Sequence, residues 1–181
     1  MLRTTPTVVL LAAAIGGGAQ PPSARADITA AYERADAANV AARTLDDVER
    51  IREWLDTSDC VYADFGEPPR TWSAMRKYAA EGLQTRLITF HTTIQQFATA
   101  NDAILVTALA KGVARVVDRQ GRWGPPGGAH DVETTATVQD SWVKTDHWRR
   151  TSHTKIVANH VTAIDGKSFT EHPPPPRNHH H

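Results

Sequence analysis

From Arg86 to Ile164 the chain is almost one continuous strand pattern, broken at only three places. Leu87–Ala98 is rich in Ile, Thr and Phe, and Ala103–Asp118 carries Leu105, Val113, Val116 and Val117. Val132–Lys144 and Trp148–Ile164 complete the run. Asn101-Asp102 and Thr145-Asp146-His147 are short polar turns. Arg119–His130 (RQGRWGPPGGAH) holds too much Gly and Pro for regular structure and reads as a long hairpin loop. Four long strands joined in this way form an antiparallel meander. Gly112, inside the second of them, suits a bulge or bend in a curved sheet.

The segment before the strands is helical. Ile28, Ala31, Tyr32, Ala35 and Ala42 repeat at helical spacing behind Asp27, an expected N-cap. Thr44 and Asp47 form a capping-box pattern with aspartate in the usual glutamate place, and Leu45, Val48, Ile51 and Leu55 mark one face of a second helix. Cys60–Phe65 reads as a short strand, and Pro68-Pro69 breaks the chain. Thr71 then caps a third helix with Trp72, Met75, Ala79 and Leu83 on its inner face and Gly82 at its end. Helices first and a meander afterwards define an α+β layout, one curved sheet with helices on one face.

The two ends stand apart from this domain. Arg3, the apolar run Val8–Ile15 and the small-x-small triplet Ala24-Arg25-Ala26 form a secretory leader pattern, Met1–Ala26, with Asp27 as the expected mature N-terminus. The apolar run is much shorter than the roughly 20 residues of a membrane span, so no stable membrane insertion is expected once the leader is cut. Removing 26 of 181 residues leaves 155, one domain spanning 27–169 and a Pro/His tail over 170–181. The tail holds four consecutive prolines and ends in His179–His181. The net charge of zero becomes −2 when Arg3 and Arg25 leave with the leader, which argues against nucleic acid as a partner. The expected location is secreted or periplasmic. Cys60 stands alone, so the core must hold without an internal disulfide.

Asp140–His153 (DSWVKTDHWRRTSH) places Trp142 and Trp148 on either side of the polar turn. The alanine-rich first helix with Tyr32, the stretch Asp59–Gly66 (DCVYADFG), Asp140–Lys144 and Trp148-Arg149 together resemble the nuclear transport factor 2-like superfamily, and within it the SnoaL-like domains. The resemblance spans nearly the whole mature domain. It implies a cystatin-like cone: a strongly curved antiparallel sheet wrapped around three N-terminal helices, with a pocket at the open end. It also implies a range of activities, among them dehydratases, isomerases, epoxide hydrolases and cyclases, beside members without known activity, so the fold does not fix the function.

The family's enzymes keep an acid or histidine on strands facing the cone, and the matching positions here are Tyr62, Asp64, His91 and His153. In the first strand Cys60, Tyr62 and Asp64 share one face, and Val61, Ala63 and Phe65 the other, which is expected to pack on the core. A buried Asp64 or His91 can serve as general base with Tyr62 as hydrogen-bond donor. Set against this, Asp64 fits the turn before Gly66, His91 fits a half-exposed sheet, and His153 shares a polar face with Arg149, Thr151 and Lys155. Trp72, Met75 and Tyr78 fit a ligand cavity or plain core. Trp123 in the Gly/Pro loop fits a lid, a subunit interface or a loosely packed aromatic. Trp142 and Trp148 read as scaffold, Asp146 and His147 as turn. Chemistry is expected opposite the hairpin, on the first strand and the strand of His91.

No phosphate-binding loop, nucleophile elbow or zinc-ligand spacing is present, and no cofactor or metal is implied. Three functions stay open. One is an exported domain that binds a small, largely apolar molecule. The second is a cofactor-independent isomerase, dehydratase or cyclase using Asp64 or His91. The third is a homodimerisation module acting through the threonine-rich sheet face.

Overall fold

A computed structural model describes residues 22–170. The helices are α1 (Pro22–Ala41), α2 (Leu45–Leu55) and α3 (Trp72–Gly82). The strands are β1 (Asp56–Ala63), β2 (Arg70–Thr71), β3 (Arg86–Ala100), β4 (Ala103–Asp118), β5 (Gly128–Lys144), β6 (Trp148–Ile164) and β7 (Lys167–Ser168). They form one seven-stranded sheet in the order β2-β1-β6-β5-β4-β3, with β7 on β6. Every pairing is antiparallel except β1 on β6, which is parallel. The architecture is α+β: three helices against a large, curved, unclosed sheet. The expected meander of four long strands is β3 to β6; the short β2 and β7 were not foreseen.

Local chemistry explains the helix ends. Thr44 caps α2 with a full capping box, its hydroxyl accepting from the Asp47 N–H at 3.2 Å while Asp47 Oδ2 accepts from the Thr44 N–H at 2.9 Å. α1 starts at Pro22, five residues before the expected cap at Asp27. Proline suits a first helical position, where its missing N–H costs no hydrogen bond, and Ala24 in that first turn is buried. The first turn of α1 therefore spans the expected leader boundary; residues 1–21 and the tail beyond 170 lie outside the described residues. Thr71 occupies the N-cap of α3 without a side-chain capping bond, and α3 buries none of its residues. Its expected inner face, with Trp72, Met75 and Ala79, is only half-buried because α3 lies at the sheet's edge strands rather than over its centre.

The core joins α1 and α2 to β4 and β5 through Ile28, Tyr32, Ala35, Ile51, Leu55, Val106, Val138 and Trp142. Trp142 is wholly buried and meets Tyr32 edge-on, ring centroids 5.2 Å apart. It is scaffold, as the sequence implied, and Trp148 packs at the same core's margin.

Two expectations about strands need correction. Gly112 is not a bulge: β4 pairs with β5 without interruption through it, and the irregularities fall in β3 at Ile88 and Gln95. Gly112 instead makes room for Phe90, whose Cδ2 would stand 3.0 Å from an added Cβ. The faces of β1 are also reversed. Cys60 and Tyr62 point inward and are buried, whereas Val61 and Phe65 are exposed, Phe65 at 58%. Tyr62 can point inward because Asp56, at the start of the same strand, accepts its hydroxyl proton at 2.6 Å.

Candidate active site

A cavity of about 380 Å³ lies between the helices and the concave side of the sheet. That is within the range of small-molecule sites. Ala35, Val48, Ile51, Leu55, Trp72, Phe90 and Val138 give it apolar walls. Polar groups enter from α1 (Tyr32, Asp36), α2 (Arg52), β1 (Asp56, Tyr62) and β6 (Arg150, His153, Lys155).

Behind one wall lies a connected ionic network. Asp140 of β5 is completely buried and sits directly opposite His153 of β6 in the strand register. His153 Nδ1 is 2.7 Å from Asp140 Oδ1, and the Tyr32 hydroxyl donates to Oδ2 at 2.6 Å. Trp142 Nε1–H donates to the Tyr32 hydroxyl at 3.4 Å. Arg150 links this carboxylate to a second, with Nη1 at 3.6 Å from Asp140 Oδ2 and Nε donating to Asp56 Oδ1 at 2.8 Å. Tyr62 donates to the other Asp56 oxygen.

A one-residue irregularity builds this geometry. At the hairpin tip Lys144 pairs with Trp148 and Trp142 with Arg150, but Ser141 pairs with Ser152, leaving Thr151 as an extra residue in β6. Strict alternation would put Arg150 and His153 on opposite faces of the strand. The bulge at Thr151 brings both to the cavity.

The protonation pattern follows from the partners. An ionised carboxylate only accepts, so the His153 nitrogen facing Asp140 carries the ring proton. Arg150 Nη1, 3.1 Å from the same nitrogen, is itself a donor and cannot bond to it in that tautomer. No described residue hydrogen-bonds Nε2, and His153 lines the cavity with its side chain a third exposed. Burial works to raise the Asp140 pKa, but the His153 and Arg150 charges and the bonds from His153 and Tyr32 outweigh it, so its carboxyl titrates below the usual range. Burial and the adjacent carboxylates push the Tyr32 and Tyr62 hydroxyls well above an ordinary tyrosine, so both stay protonated. For Arg150, burial favours the neutral form, yet Asp56 and Asp140 hold the guanidinium more firmly charged than usual.

The structure gathers three of the sequence candidates at this cavity: Tyr62, His153 and Trp72. The other five are not among its lining residues. Asp64 is at the surface, paired with Lys155 Nζ at 2.5 Å. His91 is 70% exposed on β3, its Nδ1 4.0 Å from Asp36 Oδ2. Met75 is half-buried on α3, and Tyr78 is exposed beneath Arg70 and Lys77. Trp123 stands in the β4–β5 loop against His130, ring centroids 6.2 Å apart. Asp140, Arg150, Asp56, Tyr32 and Asp36 were not candidates in the sequence. For Asp140 a signal existed: it interrupts the inward stripe Val132, Ala136, Val138, Trp142 with a lone carboxylate. Among the described residues, no cluster of three or more His, Cys, Asp or Glu is placed to hold a metal ion.

Solved structures share this architecture. Kfla4162 from Kribbella flavida superposes with a TM-score of 0.52 at 18% identity, covering 80% of this chain and 94% of that one. Aln2 from a Streptomyces species gives 0.50 at 15% identity, covering 78% and 93%. A nuclear transport factor 2 (NTF2-like) superfamily protein from Salmonella enterica gives 0.48 at 14% identity, covering 78% and 92%. At 18% and 15% identity, the likenesses to Kfla4162 and Aln2 are likenesses of fold. No protein-family model matches the sequence, and no curated protein matches it significantly.

Proposed function

We propose that the protein carries out cofactor-independent proton transfer on a small, largely apolar molecule held in the cavity, with His153 as general base. The observation that carries this is the Asp140–His153 pair: a wholly buried carboxylate fixes one imidazole nitrogen at 2.7 Å, and the ring borders a ligand-sized cavity. His153 replaces Asp64 and His91 in the role considered from the sequence. Both of those are exposed and outside the cavity wall.

The chemistry follows from the partners. Nε2 takes a proton from an acidified C–H or O–H of the bound molecule, and the charge formed on the imidazolium is balanced by Asp140. Return of that proton to another carbon completes an isomerisation; its delivery to a departing hydroxyl completes a dehydration. Such a base contributes on the order of 10²–10⁴ in rate. Tyr62 already donates its proton to Asp56, so it serves the ionic network before it serves a substrate. Asp56 and Arg150 keep that network rigid, the one guanidinium bridging two carboxylates.

The test is deuterium incorporation into a panel of aryl ketones and β-hydroxy ketones in deuterium oxide, followed by proton NMR. Incorporation above the buffer rate that falls about 100-fold or more in His153→Gln supports the proposal. No incorporation with any ketone, or equal rates in the variant, leaves a binding protein.

Export belongs to the same proposal, supported by the leader pattern of residues 1–26. Cleavage after Ala26 would trim the first turn of α1 and put Asp27 at the helix start, where its carboxylate suits the helix dipole. N-terminal sequencing of the mature protein should then begin at Asp27; an intact leader would contradict it.

A further inference from the structure

Among the described residues, each basic group at the cavity wall has a carboxylate partner, with one exception. Asp36 accepts from the Thr92 N–H at 2.6 Å and the Thr92 hydroxyl at 2.9 Å. Asp56 holds Arg150 and Tyr62, His153 faces Asp140, and Lys155 pairs with Asp64. The exception is Arg52 of α2. Among the described residues no carboxylate forms an ion pair with it, and its Nε is buried without any hydrogen-bond partner. Its neighbours are aromatic: Cζ lies over the Trp72 ring, 5.4 Å from the centroid, and the Tyr62 hydroxyl oxygen accepts a hydrogen bond from the guanidinium.

Nε has almost no accessible surface, so an acceptor entering the cavity meets the terminal N–H groups of the guanidinium. A guanidinium stacked on a ring keeps its N–H groups in the plane available to an acceptor. The acceptor that matches this fork is a carboxylate, bound through two parallel hydrogen bonds. Trp72 and Phe90 supply flat apolar surface in the same cavity, and Gly112 lets Phe90 lie close to β4.

We infer that the cavity selects a small aromatic carboxylate, its acid group on Arg52 and its ring against Trp72 and Phe90. This names the substrate class for the proton-transfer site. It rests on that reading only for the role of His153; the acid preference rests on Arg52.

Calorimetric titration of the full-length mature protein with phenylacetate and 3-phenylpropanoate, each beside its primary amide, is the test. The acids should bind at least 10-fold more tightly than the amides. Arg52→Gln should erase that preference, and Arg52→Lys should keep part of it. Near-ultraviolet circular dichroism checks that the variants remain folded, and the acid-to-amide comparison in the unmodified protein needs no variant. Equal affinity for acid and amide, absence of saturable binding by either acid, or an undiminished preference in folded Arg52→Gln would overturn the inference. Absence of deuterium exchange in the unmodified protein, or equal exchange in His153→Gln, with the acid preference retained would instead overturn the catalytic role of His153 alone.

Discussion

Asp140 and His153 occupy opposing positions on β5 and β6, and their side chains meet at 2.7 Å on the cavity side of the sheet. They do so because Thr151 is an extra, unpaired residue in β6; if Thr151 paired with Ser141 instead, Asp140 would oppose Ser152. Deleting Thr151 should therefore close the bulge while leaving His153 opposite Asp140, so deuterium exchange should persist, with the protein still folded by far-ultraviolet circular dichroism. Loss of exchange in the folded deletion variant would show that strand pairing alone does not position the histidine.

Asp140→Asn should destabilise the fold. The substitution keeps the shape but leaves His153, Tyr32 and Arg150 facing a neutral group in a buried site. Breaking a buried charged pair costs about 3–5 kcal/mol, and a loss toward the lower end is expected because the amide oxygen still accepts one bond. The pH dependence follows from the lowered carboxyl pKa. A depressed acid contributes stability that is complete above its unfolded value, near 4, and lost as pH falls through the lower folded value. Urea denaturation should show the gap between parent and variant narrowing below about pH 4. A constant gap from pH 7 to pH 3 would contradict the assignment of Asp140 as an ionised partner.

Asp36 should behave in the opposite sense. Burial raises its pKa, although the Thr92 hydrogen bonds and His91 pull it down. A raised acid contributes stability below its unfolded pKa and loses it as pH rises through the folded one, so at pH 7 the charged form is a burden. In Asp36→Asn the amide oxygen can still accept from the Thr92 N–H, and its NH₂ can donate to the hydroxyl. The variant should be more stable than the parent at pH 7, with the difference fading toward pH 3. A lower urea midpoint at pH 7 would show that the carboxylate is needed there.

Cys60 is not a nucleophile in this fold. Burial and the nearby Asp56 carboxylate push its thiol up to about 12, leaving almost no thiolate at neutral pH. A disulfide reagent at pH 8 should label it only after unfolding in urea. Fast labelling of the native protein would mean that β1 opens or that the thiol is reachable.

Much of the fold was legible because its signals are local. Thr44 with Asp47, the turn at Asn101-Asp102 and the hairpin around Thr145–His147 each act within a few residues, and all three formed as expected. The site was less legible because it depends on exceptions to periodicity. Alternation alone placed His153 with Arg149 and Thr151 on a polar face, and only the bulge turns it toward the cavity beside Arg150. In β1, apolar Val61 and Phe65 looked like the core face, whereas Tyr62 points inward because Asp56 satisfies it. Asp56 and Asp140 lie 84 positions apart in the chain and meet only through Arg150. No spacing within one segment encodes that.

The most direct measurement is the tautomer of His153 in protein labelled with nitrogen-15, read from long-range proton–nitrogen correlations at neutral pH. Histidine variants identify its ring. A proton on Nδ1 and a bare Nε2 are expected, and in Asp140→Asn this preference should weaken. A proton fixed on Nε2 in the unmodified protein would contradict His153 as the base held by Asp140.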